Sequence, residues 1–232
     1  MPVYKSSDRG LTWKYLSEID GNVGTPGALG KPDKGVYEPY FYQLDQERIG
    51  VMYSSEKYAA GAPAFSQIVS EKISSDKGRN WGKEIRVVAD GRDNRPGMPV
   101  WTRMKNSDYI VVYEVCGPKN CQVHAKTSTN GTDWGPGLGS PVPLQRGAPY
   151  LLSLNDGSLI VTSNNHAVSM SLDYGNSWFQ IDPAFPGSDD IATFSSLYQL
   201  DDHSILVLTG LSRDNGGRKI VARIGTLIPS KK

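Results

Sequence analysis

Ser74-Ser75-Asp76-Lys77-Gly78-Arg79-Asn80-Trp81 is the stretch on which the fold turns. It reads Ser-x-Asp-x-Gly-x-x-Trp, and the same pattern stands at Ser6, Asp8, Gly10, Trp13 and at Ser171, Asp173, Gly175, Trp178. A degenerate copy reads Thr127, Thr129, Gly131, Trp134, with threonine in the aspartate's place. In such a turn the Asp accepts backbone N–H bonds, the Gly supplies a positive φ and the Trp packs beneath. Repetition of this kind marks structural turns rather than chemistry. Trp13, Trp81, Trp134 and Trp178 are therefore expected in the core.

A second repeat runs around these turns. Tyr42–Ser54 matches Thr102–Glu114, and again Leu152–Asn164 and Tyr198–Gly210: a strand, a polar turn and a β-branched strand. With Leu44, Met104, Leu154 and Leu200 aligned, each hairpin leads to a third strand, over Gln67–Ser74, Gln122–Thr127, Ala167–Ser171 and Lys219–Leu227. After the first three of these come a boxed turn and a fourth strand. Four antiparallel strands, repeated, predict an all-β chain with the blades of a β-propeller, strands A to D in each. About five sheets fit, the first supplying only the end of a C strand, a boxed turn and a D strand from Trp13. Either that D strand completes the C-terminal sheet, or the chain is an N-terminally truncated piece of a larger propeller. No helix and no interdomain linker is read, so 1–232 is taken as one domain.

Composition narrows the function. Lys+Arg is 25 against Asp+Glu 24, a net charge of +1, which argues against a binder of nucleic acid or anionic membrane. No apolar run approaches the roughly 20 residues of a membrane-spanning helix, and Met1–Trp13 has no apolar signal core. Cys116 and Cys121 are separated by turn-forming residues. A disulfide-closed loop, implying an oxidising compartment, stands beside the alternative of two buried thiols. His124, His166 and His203 form no ligand-spaced cluster with them, so neither metal nor cofactor is called for.

Because the strands alternate in direction, the A–B turns and boxed turns share one end of each sheet. The strand A starts, the strand B ends and the long loops share the other, where function usually concentrates. There the repeat reads Glu38, Met98, Ala148 and Phe194 at the A starts, and Ser54, Glu114, Asn164 and Gly210 at the B ends. Glu38 and Glu114 are each the single acid at an otherwise neutral position. Two carboxylates facing one cleft are what glycosidic-bond hydrolysis needs, one to protonate the leaving oxygen and one to attack or to activate water. The alternative is a pair of solvated rim groups.

These residues carry a family resemblance. Tyr37-Glu38-Pro39-Tyr40, Tyr53-Ser54-Ser55-Glu56, Arg95-Pro96-Gly97-Met98-Pro99-Val100 and Tyr113-Glu114-Val115-Cys116-Gly117 together resemble the exo-arabinanases of glycoside hydrolase family 93. That family lies within the sialidase-like Asp-box (BNR repeat) propellers. The resemblance spans roughly Gly35 to Leu227. It implies a six-bladed, secreted, monomeric hydrolase that retains configuration and releases short oligosaccharides from α-1,5-arabinan. It implies also that the catalytic glutamates fall on Glu38 and Glu114. Tyr37 stands where relatives carry a Trp, and the third site residue, a Tyr, is sought at Phe194-Ser195-Ser196. A sialidase needs an arginine triad, and Arg95 alone does not make one.

Among other candidates, Arg95 hydrogen-bonds a sugar or braces a loop carboxylate. Glu56 orients Arg95, contacts sugar or is a solvated loop acid. Asn164, Asn165 and His166 form a polar cluster suited to sugar hydroxyls, or a satisfied turn. Asp189 and Asp190 read as a solvated turn, and Trp101 as core or a stacking platform. The competing functions are an arabinanase-type hydrolase of oligo- or polysaccharide, with an exo-sialidase-like hydrolase as second choice, a non-catalytic carbohydrate-binding propeller, and a purely structural or protein-binding one.

Overall fold

The computed structural model describes residues 1–22, 35–59, 62–185, 191–212 and 217–226. Among them there is no helix. β1 (Pro2–Lys5) pairs with β2 (Lys14–Glu18). Two four-stranded sheets follow: β3 (Val36–Gln43), β4 (Ile49–Ser55), β5 (Ile68–Ser74) and β6 (Ile85–Val88), then β7 (Arg95–Arg103), β8 (Tyr109–Cys116), β9 (Gln122–Ser128) and β10 (Ser140–Arg146). A third four-stranded sheet holds β11 (Tyr150–Ser153), β12 (Leu159–Thr162), β13 (Val168–Ser171) and β14 (Phe179–Ile181). The last has β15 (Ile191–Asp201), β16 (Ser204–Ser212) and β17 (Arg218–Thr226). Within each sheet, strands neighbouring in sequence are neighbours in space, as the repeat predicts. The D strand β2 pairs with β1 in a two-stranded sheet and the last sheet has three strands, so of the two alternatives the completion of the C-terminal sheet by β2 is not seen among the described residues.

Two compact units are present: Met1–Pro99 with Trp134–Gly137, and Val100–Asp133 with Leu138–Lys232. In the first, Ile19, Val51 and Tyr53 form a core against Val3, Val36 and Trp81. In the second, Leu154, Ile160, Val168, Leu197, Ile205 and Val207 do so. The second strand of each four-stranded sheet is covered on both faces, which is why Val51-Met52-Tyr53, Ile110-Val111-Val112 and Leu159-Ile160-Val161 are continuous apolar runs rather than alternating ones. Each such side chain contributes about 2 kcal/mol by leaving water.

The repeated turns close as their residue types require. Ser74 Oγ donates to Asp76 Oδ1 and accepts from Gly78 N, while Asn80 N donates to Asp76 Oδ1 at 2.8 Å. The turns at Ser6 and Ser171 repeat this set. The residue before each glycine is also left-handed: Arg9, Lys77 and Tyr174 have φ near +60°. The degenerate copy departs from the expected reading. Ser128 and Asn130, not Thr127 and Thr129, take the Ser and Asp roles, Asn130 Oδ1 accepting from Thr132 N at 2.9 Å and Ser128 Oγ from Gly131 N at 3.0 Å. One residue is missing from that turn, which slides the hydrogen-bonding pair along the chain. Only Trp134 of the four turn tryptophans is fully buried; Trp81 and Trp178 are half-buried, and Trp13 is 62% exposed because β1 and β2 leave one side of it uncovered.

Two polar features sit inside the first unit. Lys57 Nζ bridges Asp20 at 2.5 Å and Glu84 at 3.3 Å, and both acids also accept hydroxyl bonds, from Tyr53 and from Tyr58 and Ser70. Lys72 donates to Ile19 O at 2.8 Å and lies 3.6 Å from Asp20. The cluster ties the end of β2 to β4, β5 and β6. Separately, Glu71 on β5 is completely buried, accepting from Trp134 Nε1 at 3.0 Å while Oε1 has no hydrogen-bond partner. Burial pushes its carboxyl up to about 7, against the opposing Trp134 bond. An acid raised on folding contributes stability that is complete below its unfolded value of 4.5 and lost as pH rises through about 7. The loss is about 3 kcal/mol. Urea unfolding at pH 5 and pH 8 should show it in the wild type and not in Glu71→Gln; equal pH slopes in the two would contradict it.

Candidate active site

Strand A of each sheet opens with a left-handed residue. Glu38, Met98, Ala148 and Phe194 have φ of 58°, 50°, 40° and 53°, at the four positions the sequence repeat aligns. The β3–β4 register shifts between Tyr37 and Tyr40, and the β15–β16 register between Thr193 and Ser196, so a bulge re-aims the side chain there. Pro39, Pro99 and Pro149 follow three of these residues, where a bulge tolerates the missing N–H. This X-Pro signal was open to sequence reading and went unused. Left-handed backbone at a non-glycine residue costs on the order of 1–3 kcal/mol. Since all four sheets carry it, the strain belongs to the repeat and not to Glu38 alone.

What holds each opening in place is the strand B end of the sheet before it. In the second unit, Glu114 Oε2 accepts from Ala148 N at 2.7 Å, and Asn164 Oδ1 accepts from Phe194 N at 2.9 Å. In the first, Ser54 Oγ accepts from Met98 N at 3.2 Å. Ser54 also donates to Glu38 Oε2 at 2.6 Å, and Met98 N lies 3.0 Å from the same oxygen. Ser54, Glu114 and Asn164 thus form one series of inter-sheet acceptors.

Behind Glu38 lies a buried charged network. Arg95 Nη2 donates to Glu56 Oε1 at 2.5 Å and to Gln67 Oε1 at 2.7 Å, and Nη1 to Ser66 Oγ at 3.2 Å. The Tyr37 hydroxyl accepts from Arg95 at 3.2 Å and lies 3.1 Å from Glu56 and 2.5 Å from Gln67; its one proton serves one of the two at a time. Burial first, then the Glu56 charge, pushes the Tyr37 hydroxyl well above its ordinary value. Glu56 is 1% exposed, so it is no solvated loop acid: it accepts the guanidinium that the same loop cluster presents. Gly97 passes so close that an added Cβ would stand 2.4 Å from Gln67 Nε2, 3.1 Å from Ser54 Oγ and 3.3 Å from Glu38 Oε2. Gln67 cannot swing aside without giving up its 2.9 Å bond to Pro96 O. Gly97→Ala is expected to destabilise the first unit by 1–3 kcal/mol, read from thermal unfolding.

In the second unit, Cys116 and Cys121 form the disulfide the sequence allowed. Cys116 Sγ lies 3.3 Å from Glu114 Oε1. Glu114, Cys116 and Cys121 bring donor atoms within 4.8 Å of one another, but the sulfurs are bonded to each other and are not thiolates, so the group offers a cation one anionic ligand. Asn165 is spent on protein partners, donating to Leu144 O on β10 at 2.5 Å and accepting from Ala167 N of its own turn at 3.0 Å. His166 adjoins it, half-buried. Trp101 is fully buried beside Tyr109 and is core. Phe194 is exposed, Ser195 bonds Thr209, and no tyrosine stands at 194–196. Asp189 and Asp190 lie outside the described residues.

No family model matches the chain, and no curated protein matches it by sequence. Solved structures do. The chain is similar to the α-L-arabinofuranosidase arb93a from Fusarium graminearum, at 22% identity and a TM-score of 0.79, over 97% of this chain and 67% of that one. It is similar to the Penicillium chrysogenum α-L-arabinanase complexed with arabinobiose, at 19% identity and a TM-score of 0.72, over 96% of this chain and 66% of that one. A Hadza microbial sialidase follows at 14% identity and a TM-score of 0.58, over 81% of this chain and 44% of that one. The likeness is one of fold: an all-β chain built of propeller blades. The left-handed strand A openings recur from sheet to sheet in this chain, and Glu38 and Glu114 are the places where the repeat carries acids.

Proposed function

We propose that this propeller is a glycoside hydrolase acting from the chain end of an α-1,5-linked arabinan, as a single domain over 1–232. The observation that carries the proposal is the placement of Glu38 and Glu114. Each is the one acid at its position of the repeat, and each has one carboxylate oxygen held by the backbone N–H of the next strand A opening. The arabinofuranosidase and arabinanase folds named above support the substrate class.

In this reading Glu38 is the nucleophile. Its Oε2 is fixed by the Ser54 hydroxyl and Met98 N–H, leaving Oε1 to attack the anomeric carbon. Glu114 protonates the departing glycosidic oxygen and then takes a proton from the water that releases the sugar, so the product keeps its configuration. No metal or cofactor has a part. The disulfide beside Glu114 supports an extracellular location. The test is hydrolysis of linear α-1,5-arabinan by the wild type, Glu38→Gln and Glu114→Gln, with the anomeric form of the first product followed by NMR. Azide rescue of one alanine variant identifies the nucleophile. Sugar binding measured by calorimetry without turnover in the wild type would replace this reading with a carbohydrate-binding propeller.

A further inference from the structure

We propose that Ser54 is the positioning residue for Glu38; the proposal rests on Glu38 being the nucleophile. The repeat supplies the comparison. At the strand B end, Glu114 and Asn164 each use a side-chain oxygen to accept from the next strand A opening, at 2.7 and 2.9 Å. Ser54 occupies the same place and accepts from Met98 N at 3.2 Å, but its hydroxyl proton goes to Glu38 Oε2 at 2.6 Å.

The side chain needed here must accept on one side and donate on the other from a single atom, because the strand A opening of this sheet is itself an acid. A hydroxyl does both. A carboxylate in the same place would face Glu38 with like charge, and glycine would offer nothing. Space decides against a carboxamide. Ser54 is fully buried, and Gly97 packs so tightly that a Cβ on it would stand 3.1 Å from Ser54 Oγ. Two donors converge on Oε2, the Ser54 hydroxyl and the Met98 backbone N–H, and together they fix the carboxylate plane. Among the described residues Oε1 takes no hydrogen bond, so it is the oxygen presented for attack. Ser54 touches no substrate in this arrangement and acts through Glu38.

The experiment compares wild type, Ser54→Ala, Ser54→Thr and Glu38→Gln in kcat and KM on linear α-1,5-arabinan, with thermal unfolding of each. Loss of one hydrogen bond to a charged group should lower kcat in Ser54→Ala by about 10- to 100-fold. KM should stay within about twofold, and Ser54→Thr should recover most of kcat. Should the alanine variant not fold, Ser54→Cys keeps the volume with a weak donor, and the same fall in kcat at constant KM is expected of it. An inactive Glu38→Gln beside a Ser54→Ala of wild-type kcat overturns the positioning role alone. An active Glu38→Gln removes the catalytic reading and this inference with it. A fall in Ser54→Ala that threonine does not restore, or that appears in KM instead, also counts against it.

Discussion

Glu38→Gln and Glu114→Gln are each expected to lower arabinan hydrolysis by about 10³-fold or more while moving the unfolding midpoint little. The two expectations have separate physical sources. Glutamine keeps the shape of glutamate and one carbonyl-type oxygen. At position 114 that oxygen can still accept from Ala148 N, and at position 38 it can still accept from Ser54 and Met98 N. What glutamine cannot do is attack an anomeric carbon to form an ester, or pass a proton to a leaving oxygen. Alanine at either position removes the acceptor as well, so it should cost stability of about 1–2 kcal/mol in addition to activity. The contrast between Gln and Ala in the same assay therefore separates the blade-joining role from the chemical one. Full turnover in either glutamine variant would leave the acids with the joining role only.

Lys57→Met is expected to destabilise the first unit by about 3–5 kcal/mol, against a total domain stability of about 5–15 kcal/mol. Methionine fills much the same volume, so packing is not what is lost. The ammonium sits between Asp20 and Glu84, whose side chains are only 10% and 15% exposed. Without it, two part-buried carboxylates keep only hydroxyl donors from Tyr53, Tyr58 and Ser70, with the Lys72 ammonium 3.6 Å from Asp20. Burial pushes the Asp20 carboxyl up, but hydrogen bonds from Lys57 and Tyr53 outweigh it and hold the group below its ordinary 3.8. A depressed acid contributes stability that is present above 3.8 and lost as pH falls through its folded value. The variant should accordingly lose less on acidification than the wild type. Denaturant unfolding at pH 7 and pH 3 tests both statements, and a pH 7 loss below about 1 kcal/mol would show the network to be ordinary surface pairing.

The parts of the fold that were legible in the sequence are those set by local backbone chemistry. The Ser-x-Asp-x-Gly-x-x-Trp turns fixed the sheet ends, and aligning the hairpins brought Glu38, Met98, Ala148 and Phe194 to one position, where the structure gives all four a positive φ. The acids at 38 and 114 stood out for the same reason, as exceptions in a register. What stayed hidden depends on partners remote in the chain. Glu56 looked like a solvated loop acid because sequence shows charge and not cover; Arg95, thirty-nine residues away, supplies the cover. Lys57, Asp20 and Glu84 come from three separate segments and carry no motif. Trp13 follows the turn pattern of Trp81 and Trp178 in full, yet it is 62% exposed where they are half-buried, its exposure being set by how many strands stand next to it.

The bond by which a strand B end grips the following opening asks for an oxygen and nothing else, and serine, glutamate and asparagine all satisfy it. The scaffold therefore repeats one anchoring bond from sheet to sheet while the residue that makes it differs, each occupant suited to its own neighbours. Under the proposed function, what each blade brings to the chemistry can thus differ while the bond that joins it to the next does not.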